Sequence, residues 1–210
     1  MQTEIVEDFH KIVDALKSQD VVGIPTETVY GLAADMFSQK AIKNIYKIKV
    51  RSKNKPLVVN VSSFNQALNL SEGFTNLAKE LALKFWPGPL TIVLQKSKLL
   101  PEIFGIDLNL VAIRFSSNIL VRKVVDSLKN PIVLTSANIS GKPSFTDASQ
   151  VFKNFKGKIS AILKSKEPCS GVESTVVLFK RNSFPRILRL GAISKNDIEN
   201  VIGKISNEIF

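Results

Sequence analysis

Short apolar runs that stop at prolines or small polar residues alternate, along most of this chain, with stretches whose apolar residues recur every three or four positions. The first pattern builds strands buried in a sheet, and the second builds helices that cover one. Apolar runs at 21–24, 57–61, 90–94, 111–115, 131–134, 158–163, 174–179 and 186–190 predict strands. The spacing of Ile5, Phe9, Ile12, Val13 and Leu16 predicts a first helix, and Ala41, Ile42, Ile45 and Ile48 predict a second over 39–48. Two more are expected at 75–85, stopped by Trp86-Pro87-Gly88-Pro89, and at 120–128. Ser194 is placed to cap a last helix ending near Ile205. Some neighbouring strands are joined by too little chain for a crossover helix, which a parallel pair requires. The expectation is therefore an α/β fold with a twisted mixed sheet flanked by helices. With 210 residues, 44% of them hydrophobic, and neither a repeat nor a flexible linker, a single domain over 1–210 is expected.

Absent residues narrow the chemistry. His10 is the only histidine and Cys169 the only cysteine. A Cys/His zinc site cannot be assembled from them, nor can an internal disulfide, and a histidine-based nucleophile would have to rely on a residue of the first helix. Neither a GxxxxGK[ST] phosphate loop nor a GxGxxG turn is present. No apolar run reaches the ~18 residues needed to span a bilayer, and the first residues lack the pattern of a secretory signal, so the cytoplasm is the expected location. The net charge of +11 favours anionic partners. Most of the basic residues are lysines in a chain also rich in Asn and Ile, so a compositional drift could supply that charge, and local placement matters more.

Four constellations could carry chemistry. Between Met36 and Ser71 there is no acidic residue, while Lys40, Lys43, Lys47, Lys49, Arg51, Lys53 and Lys55 are all basic. Lys40, Lys43 and Lys47 share helical spacing and fit a solvated face. Lys49, Arg51 and Lys55 are expected to leave the helix and enter a loop, where cations can converge on phosphates or simply face water. Ser136, Asn138, Ser140 and Ser144 follow an apolar run and could bind a nucleotide or satisfy an ordinary turn. Arg114, among Val111, Ala112, Ile113 and Phe115, needs an anionic partner if buried, or else reaches water from an edge. Ser174 enters another strand, and Arg189 sits on the last one.

Taken in order, eight segments resemble the YrdC family of threonylcarbamoyl-AMP synthases: Pro25-Thr26-Glu27-Thr28-Val29-Tyr30-Gly31-Leu32, Lys49-Val50-Arg51, Lys55-Pro56-Leu57, Trp86-Pro87-Gly88-Pro89-Leu90-Thr91, Val111-Ala112-Ile113-Arg114, Ser136-Ala137-Asn138-Ile139-Ser140-Gly141, Ser174-Thr175-Val176-Val177 and Ile187-Leu188-Arg189. The resemblance implies a YrdC-like sheet with a concave basic cavity. It implies a reaction joining L-threonine, bicarbonate or CO2 and ATP into threonylcarbamoyl-AMP with release of pyrophosphate, for modification of tRNA. Lys49, Arg51 and Lys55 would hold the triphosphate as the catalytic cations. Ser136, Asn138, Ser144 and Arg189 would complete the ATP site, and Thr28, Asn60, Arg114 and Ser174 would hold threonine. Mg2+ is expected to arrive with ATP, with no protein metal site, and tRNA and threonylcarbamoyl-transfer proteins are the implied functional partners. The chain departs from the pattern at Asn60, where many relatives carry histidine, and at Ser52, Leu110, Leu178 and Leu190. It resembles the short form without an added C-terminal domain. Two alternatives make different demands on the sequence. A YrdC-like RNA-binding module would expose aromatics among its cations, whereas the aromatics here fall mostly in apolar patterns. A hydrogenase-maturation carbamoyl-transfer domain would come with cysteine-rich zinc segments.

Overall fold

Polar caps set where the helices begin. In the computed structural model, which describes residues 2–52, 55–98, 100 and 109–205, the side-chain oxygens of Asp8, Ser38, Ser63, Thr75, Asn118, Asp147 and Ser194 each accept a backbone N–H of the following first turn. They start α1 (Phe9–Lys17), α2 (Gln39–Lys49), α3 (Phe64–Leu70), α4 (Asn76–Phe85), α5 (Ile119–Leu128), α6 (Ala148–Phe155) and α7 (Lys195–Ile202). At Ser194 the arrangement is a full capping box, with Asp197 reaching back to the cap backbone. The cap at Asp8 also corrects the first expected helix. Ile5 precedes it and lies in a strand, exposed rather than on the helix's buried face.

The strands are β1 (Glu4–Val6), β2 (Val22–Ile24), β3 (Gly31–Asp35), β4 (Val58–Val61), β5 (Leu90–Gln95), β6 (Leu110–Phe115), β7 (Ile132–Ser136), β8 (Ala161–Leu163), β9 (Thr175–Leu178) and β10 (Arg186–Arg189). Among the described residues they form one mixed sheet in the order β1-β8-β2-β3-β7-β4-β6-β5-β9-β10. The pairs β1/β8, β2/β8, β4/β6 and β5/β9 are parallel, and the other neighbours antiparallel. No helix of the described residues is long and apolar enough to cross a membrane.

One face of the sheet buries the apolar sides of α2, α3, α4, α6 and α7, through residues such as Ile42, Ala67, Leu81, Phe155 and Ile198. The other face is only half covered. There α1 and α5 pack Ile12, Leu16, Val121 and Val125 onto Val22, Ile24, Ala33 and Ile132 of β2, β3 and β7. Beyond them the same face carries a small cluster made from strands alone, in which Val93, Ala112 and Leu178 are backed by Val58, Val176 and Leu188. Side chains two apart on a strand share a face, so Asn60 stands beside Val58, and Arg114 beside Ala112. The polar site is therefore built on sheet surface that no described helix covers.

Candidate active site

The segment between β2 and β3 is held by its own hydroxyls. Thr26 Oγ1 accepts the N–H groups of Thr28 and Val29, each at 3.1 Å, and donates to the Val29 carbonyl at 2.6 Å. It also meets Thr28 Oγ1 at 2.8 Å. Gly31 closes the segment where the Leu134 side chain packs over it: a Cβ there would lie 2.3 Å from Leu134 Cδ2, so that side chain would have to shift to admit one. The result is a fixed backbone that presents Thr28 and Glu27 to Arg114.

Arg114 is buried, and its Nη2 lies 2.8 Å from Glu27 Oε1 and donates to Thr28 Oγ1 at 3.0 Å. The carboxylate is fixed in turn by the Ser116 hydroxyl and by the Ser117 N–H at 3.3 Å. Burial alone would raise the Glu27 carboxyl. Arg114 and the Ser116 hydrogen bond outweigh it and hold that carboxyl below the usual range. Among the described residues, two buried polar atoms at this site have no partner: Arg114 Nε, a donor, and Asn60 Oδ1, an acceptor whose amide nitrogen donates a hydrogen bond to the Val58 carbonyl at 3.3 Å. Asn60 and Arg114 are register partners across β4 and β6. A donor and an acceptor thus sit side by side, desolvated and unsatisfied, which is costly unless a ligand completes them.

Arg51 and Arg189 stand on the other sides of the same hollow. Arg51 Nε and Nη2 donate to the carbonyls of Lys55 and Pro56, at 3.0 and 2.9 Å. Arg189 donates from Nε and Nη2 to the Ser174 carbonyl, from Nη2 to Ser174 Oγ at 3.0 Å, and from Nη1 to the Glu173 carboxylate. Ser174 Oγ also shares a 2.9 Å hydrogen bond with Thr91. The cavity bounded by these groups encloses about 110 Å³, and about 560 Å³ when its open mouth is counted. The enclosed part admits only a small ligand group, and a nucleotide would have to extend into the mouth.

Thr28, Arg51, Asn60, Arg114, Ser136, Ser174 and Arg189, all predicted site residues, line this one cavity. Four others do not. Lys49 is a correction: it ends α2 instead of entering a loop, and its side chain is buried at 1% exposure. Its Nζ donates to the carbonyls of Ser136 and Asn138 and to Asn138 Oδ1, so it anchors the segment after β7 from behind. Burial and the nearby Arg51 push its pKa down to about 8. Val50 then adopts a left-handed conformation, φ 50°, which is costly for a β-branched residue, and the chain turns so that Lys49 points inward while Arg51 reaches the cavity. Asn138 is buried beside Lys49 and receives the Ser136 hydroxyl at 2.7 Å. Ser144 reaches the cavity wall only through Glu173, and Lys55 is exposed, contributing its carbonyl to Arg51. Lys53 lies outside the described residues. The sequence does not single out Glu173, a carboxylate of the cavity wall, or Glu27, which pairs with Arg114 beside the cavity, although each adjoins a predicted site residue. Among the described residues no group of three or more His, Cys, Asp or Glu is placed to hold a metal ion.

The chain is similar to known proteins in sequence and in fold. The Sua5/YciO/YrdC family profile, described as "Telomere recombination", matches residues 14–191. The threonylcarbamoyl-AMP synthase of Pyrococcus abyssi is 40% identical over 190 residues, covering 90% of this chain and 56% of that protein. The threonylcarbamoyl-AMP synthase of Bacillus subtilis is 40% identical over 192 residues, covering 90% and 55%. The chain thus spans about half the length of these two relatives. The crystal structure of Pyrococcus abyssi Sua5 complexed with L-threonine superposes with a TM-score of 0.90 at 37% identity, covering 98% of this chain and 62% of that one.

Proposed function

This chain belongs to the Sua5/YciO/YrdC family, and from that premise we propose that it is an L-threonylcarbamoyladenylate synthase, with residues 1–210 acting as one catalytic domain. The observation that carries the reading is the orphan pair, Arg114 Nε beside Asn60 Oδ1, in a small open cavity that also carries two further guanidinium groups. A threonine carboxylate satisfies the Arg114 donor, while a proton on its amino or hydroxyl group satisfies Asn60 Oδ1. Thr28 and Ser174 complete that end. The polyphosphate of ATP takes Arg51, Arg189, Ser136 and Ser144 at the mouth. Lys49 and Asn138 act from behind, by holding the Ser136 segment in place, and Lys55 helps to aim Arg51 through its carbonyl.

In the reaction, the threonine amine bonds to the carbon of CO2 with loss of a proton, or to that of bicarbonate with loss of water, to give a carbamate. A carbamate oxygen then attacks the α-phosphorus of ATP, and pyrophosphate leaves with the electron pair of the broken P–O bond. Reactions of this type depend mainly on positioning and on neutralising phosphate charge, which suits a site of arginines and hydroxyls. Glu27 and Glu173 are already paired with arginines, so Mg2+ is best read as part of the ATP substrate. The product would pass, in the cytoplasm, to proteins that transfer the threonylcarbamoyl group to tRNA. The test is pyrophosphate release, expected only when threonine, bicarbonate and ATP are all present. Release that ignores threonine would overturn the synthase reading, and none at all together with salt-sensitive RNA binding would replace the enzyme with an RNA-binding module.

A further inference from the structure

Glu173 already holds two of the donors assigned above to the polyphosphate. Ser144 Oγ donates to its Oε1 at 2.9 Å, and Arg189 Nη1 pairs with its Oε2. A carboxylate gripped through both oxygens by a hydroxyl and a guanidinium presents the same groups as one edge of a phosphate. Its negative charge also acts on Arg51 and Lys49. The backbone that carries Glu173 is fixed. Its carbonyl accepts the Ala192 N–H at 2.9 Å, and Gly191 approaches so closely that a Cβ there would lie 2.1 Å from that carbonyl oxygen. The next residue is pinned as well, since the Ser174 carbonyl takes two hydrogen bonds from Arg189. The side chain is different. It is about a third exposed and has an open path to water at the mouth.

We propose that Glu173 is an internal anion that competes with the polyphosphate of ATP for Ser144 and Arg189, and that it turns out to solvent as the nucleotide enters. The proposal rests on the nucleotide reading given above. Two anions cannot share these donors without mutual repulsion, so the carboxylate must leave as phosphate arrives. Until then it keeps Arg189 and Ser144 aligned, and its return helps to expel pyrophosphate once the adenylate has formed. Glu173 therefore acts as a positioning residue that lowers nucleotide and pyrophosphate affinity, in favour of turnover.

Calorimetric titration of the whole chain with ATP and with pyrophosphate, in the presence of Mg2+, tests this in the wild type, Glu173→Gln and Glu173→Ala. Displacing a partly exposed ion pair costs up to ~1 kcal/mol, so both ligands should bind Glu173→Ala about fivefold more tightly than wild type. Glu173→Gln keeps the shape but loses the charge and should fall between them. The KM for threonine in the pyrophosphate-release assay should change less than the affinity for either ligand. General damage to the fold would weaken binding, so the direction of the change separates the two causes. Equal or weaker ATP binding by Glu173→Ala overturns the proposal. Failure of all three proteins to bind either ligand overturns the nucleotide reading and this proposal with it, a result distinct from the first.

Discussion

Arg114 with Glu27, and Arg189 with Glu173, are two arginine–glutamate pairs whose arginines line one cavity, but they stand at different depths. The first is nearly enclosed, with side-chain exposures of 7% and 19%. The second is at the mouth, with 44% and 32%. Depth changes what the same chemistry does. In the enclosed pair each charge depends on the other, because neither can turn to water and both were desolvated on folding. In the outer pair either partner can exchange the other for solvent at little cost. The inner pair therefore fixes the geometry around the orphan donor of Arg114, and the outer pair can be traded for a ligand.

The sharpest way to break this comparison is to remove each carboxylate in turn. Glu27→Ala leaves Arg114 buried without its counter-ion and should destabilise the fold by about 3–5 kcal/mol. Glu173→Ala should cost under about 1 kcal/mol, because its partner is already half in water. Urea denaturation of both variants beside the wild type gives the two numbers directly. Similar losses for the two would mean that depth does not govern these pairs.

The contrast between the pairs was only half legible in the sequence. Arg114 announced itself as a charge inside an apolar strand, and Ser174 and Arg189 lay in recognisable segments. Their glutamate partners did not stand out, because an ion pair across β6 and the segment before β3 depends on tertiary pairing that local spacing does not encode. The same limit hid β3. Gly31–Asp35 contains Leu32, Ala33 and Ala34 and no β-branched residue, and it is a strand because β2 and β7 pair with it on both sides. By contrast α6 carried a readable signal, Asp147 as cap with Ala148, Val151 and Phe155 on one buried face. Lys49 was misread for a physical reason. A lysine beside a loop is usually solvated, and here three oxygens replace the water around its ammonium.

A second comparison sharpens the division between the deep and outer parts of the cavity. Arg114→Ala should lower kcat/KM for threonine about a hundredfold, the scale of a lost charge-assisted contact, with a smaller effect on the KM for ATP. Arg51→Ala should do the reverse, because its guanidinium is aimed at the mouth by the carbonyls of Lys55 and Pro56. Steady-state pyrophosphate release, with each substrate varied in turn, separates them. Equal losses on both substrates would dissolve the proposed division of the site.

The smallest expected effect is the acid response of the inner pair. The Glu27 carboxyl is held below its ordinary value of 4.5, so the unfolded chain takes up this proton at a higher pH than the folded one does. Protons then favour unfolding. The pair's contribution is complete above about 4.5 and is lost as pH falls from there through the folded value, by at most about 1.4 kcal/mol per pH unit. The stability difference between wild type and Glu27→Gln should therefore be constant near neutrality and shrink below about pH 4.5. A difference that stayed constant down to pH 3 would mean that the carboxylate charge contributes nothing, and that Glu27 positions Arg114 through hydrogen bonds that glutamine reproduces.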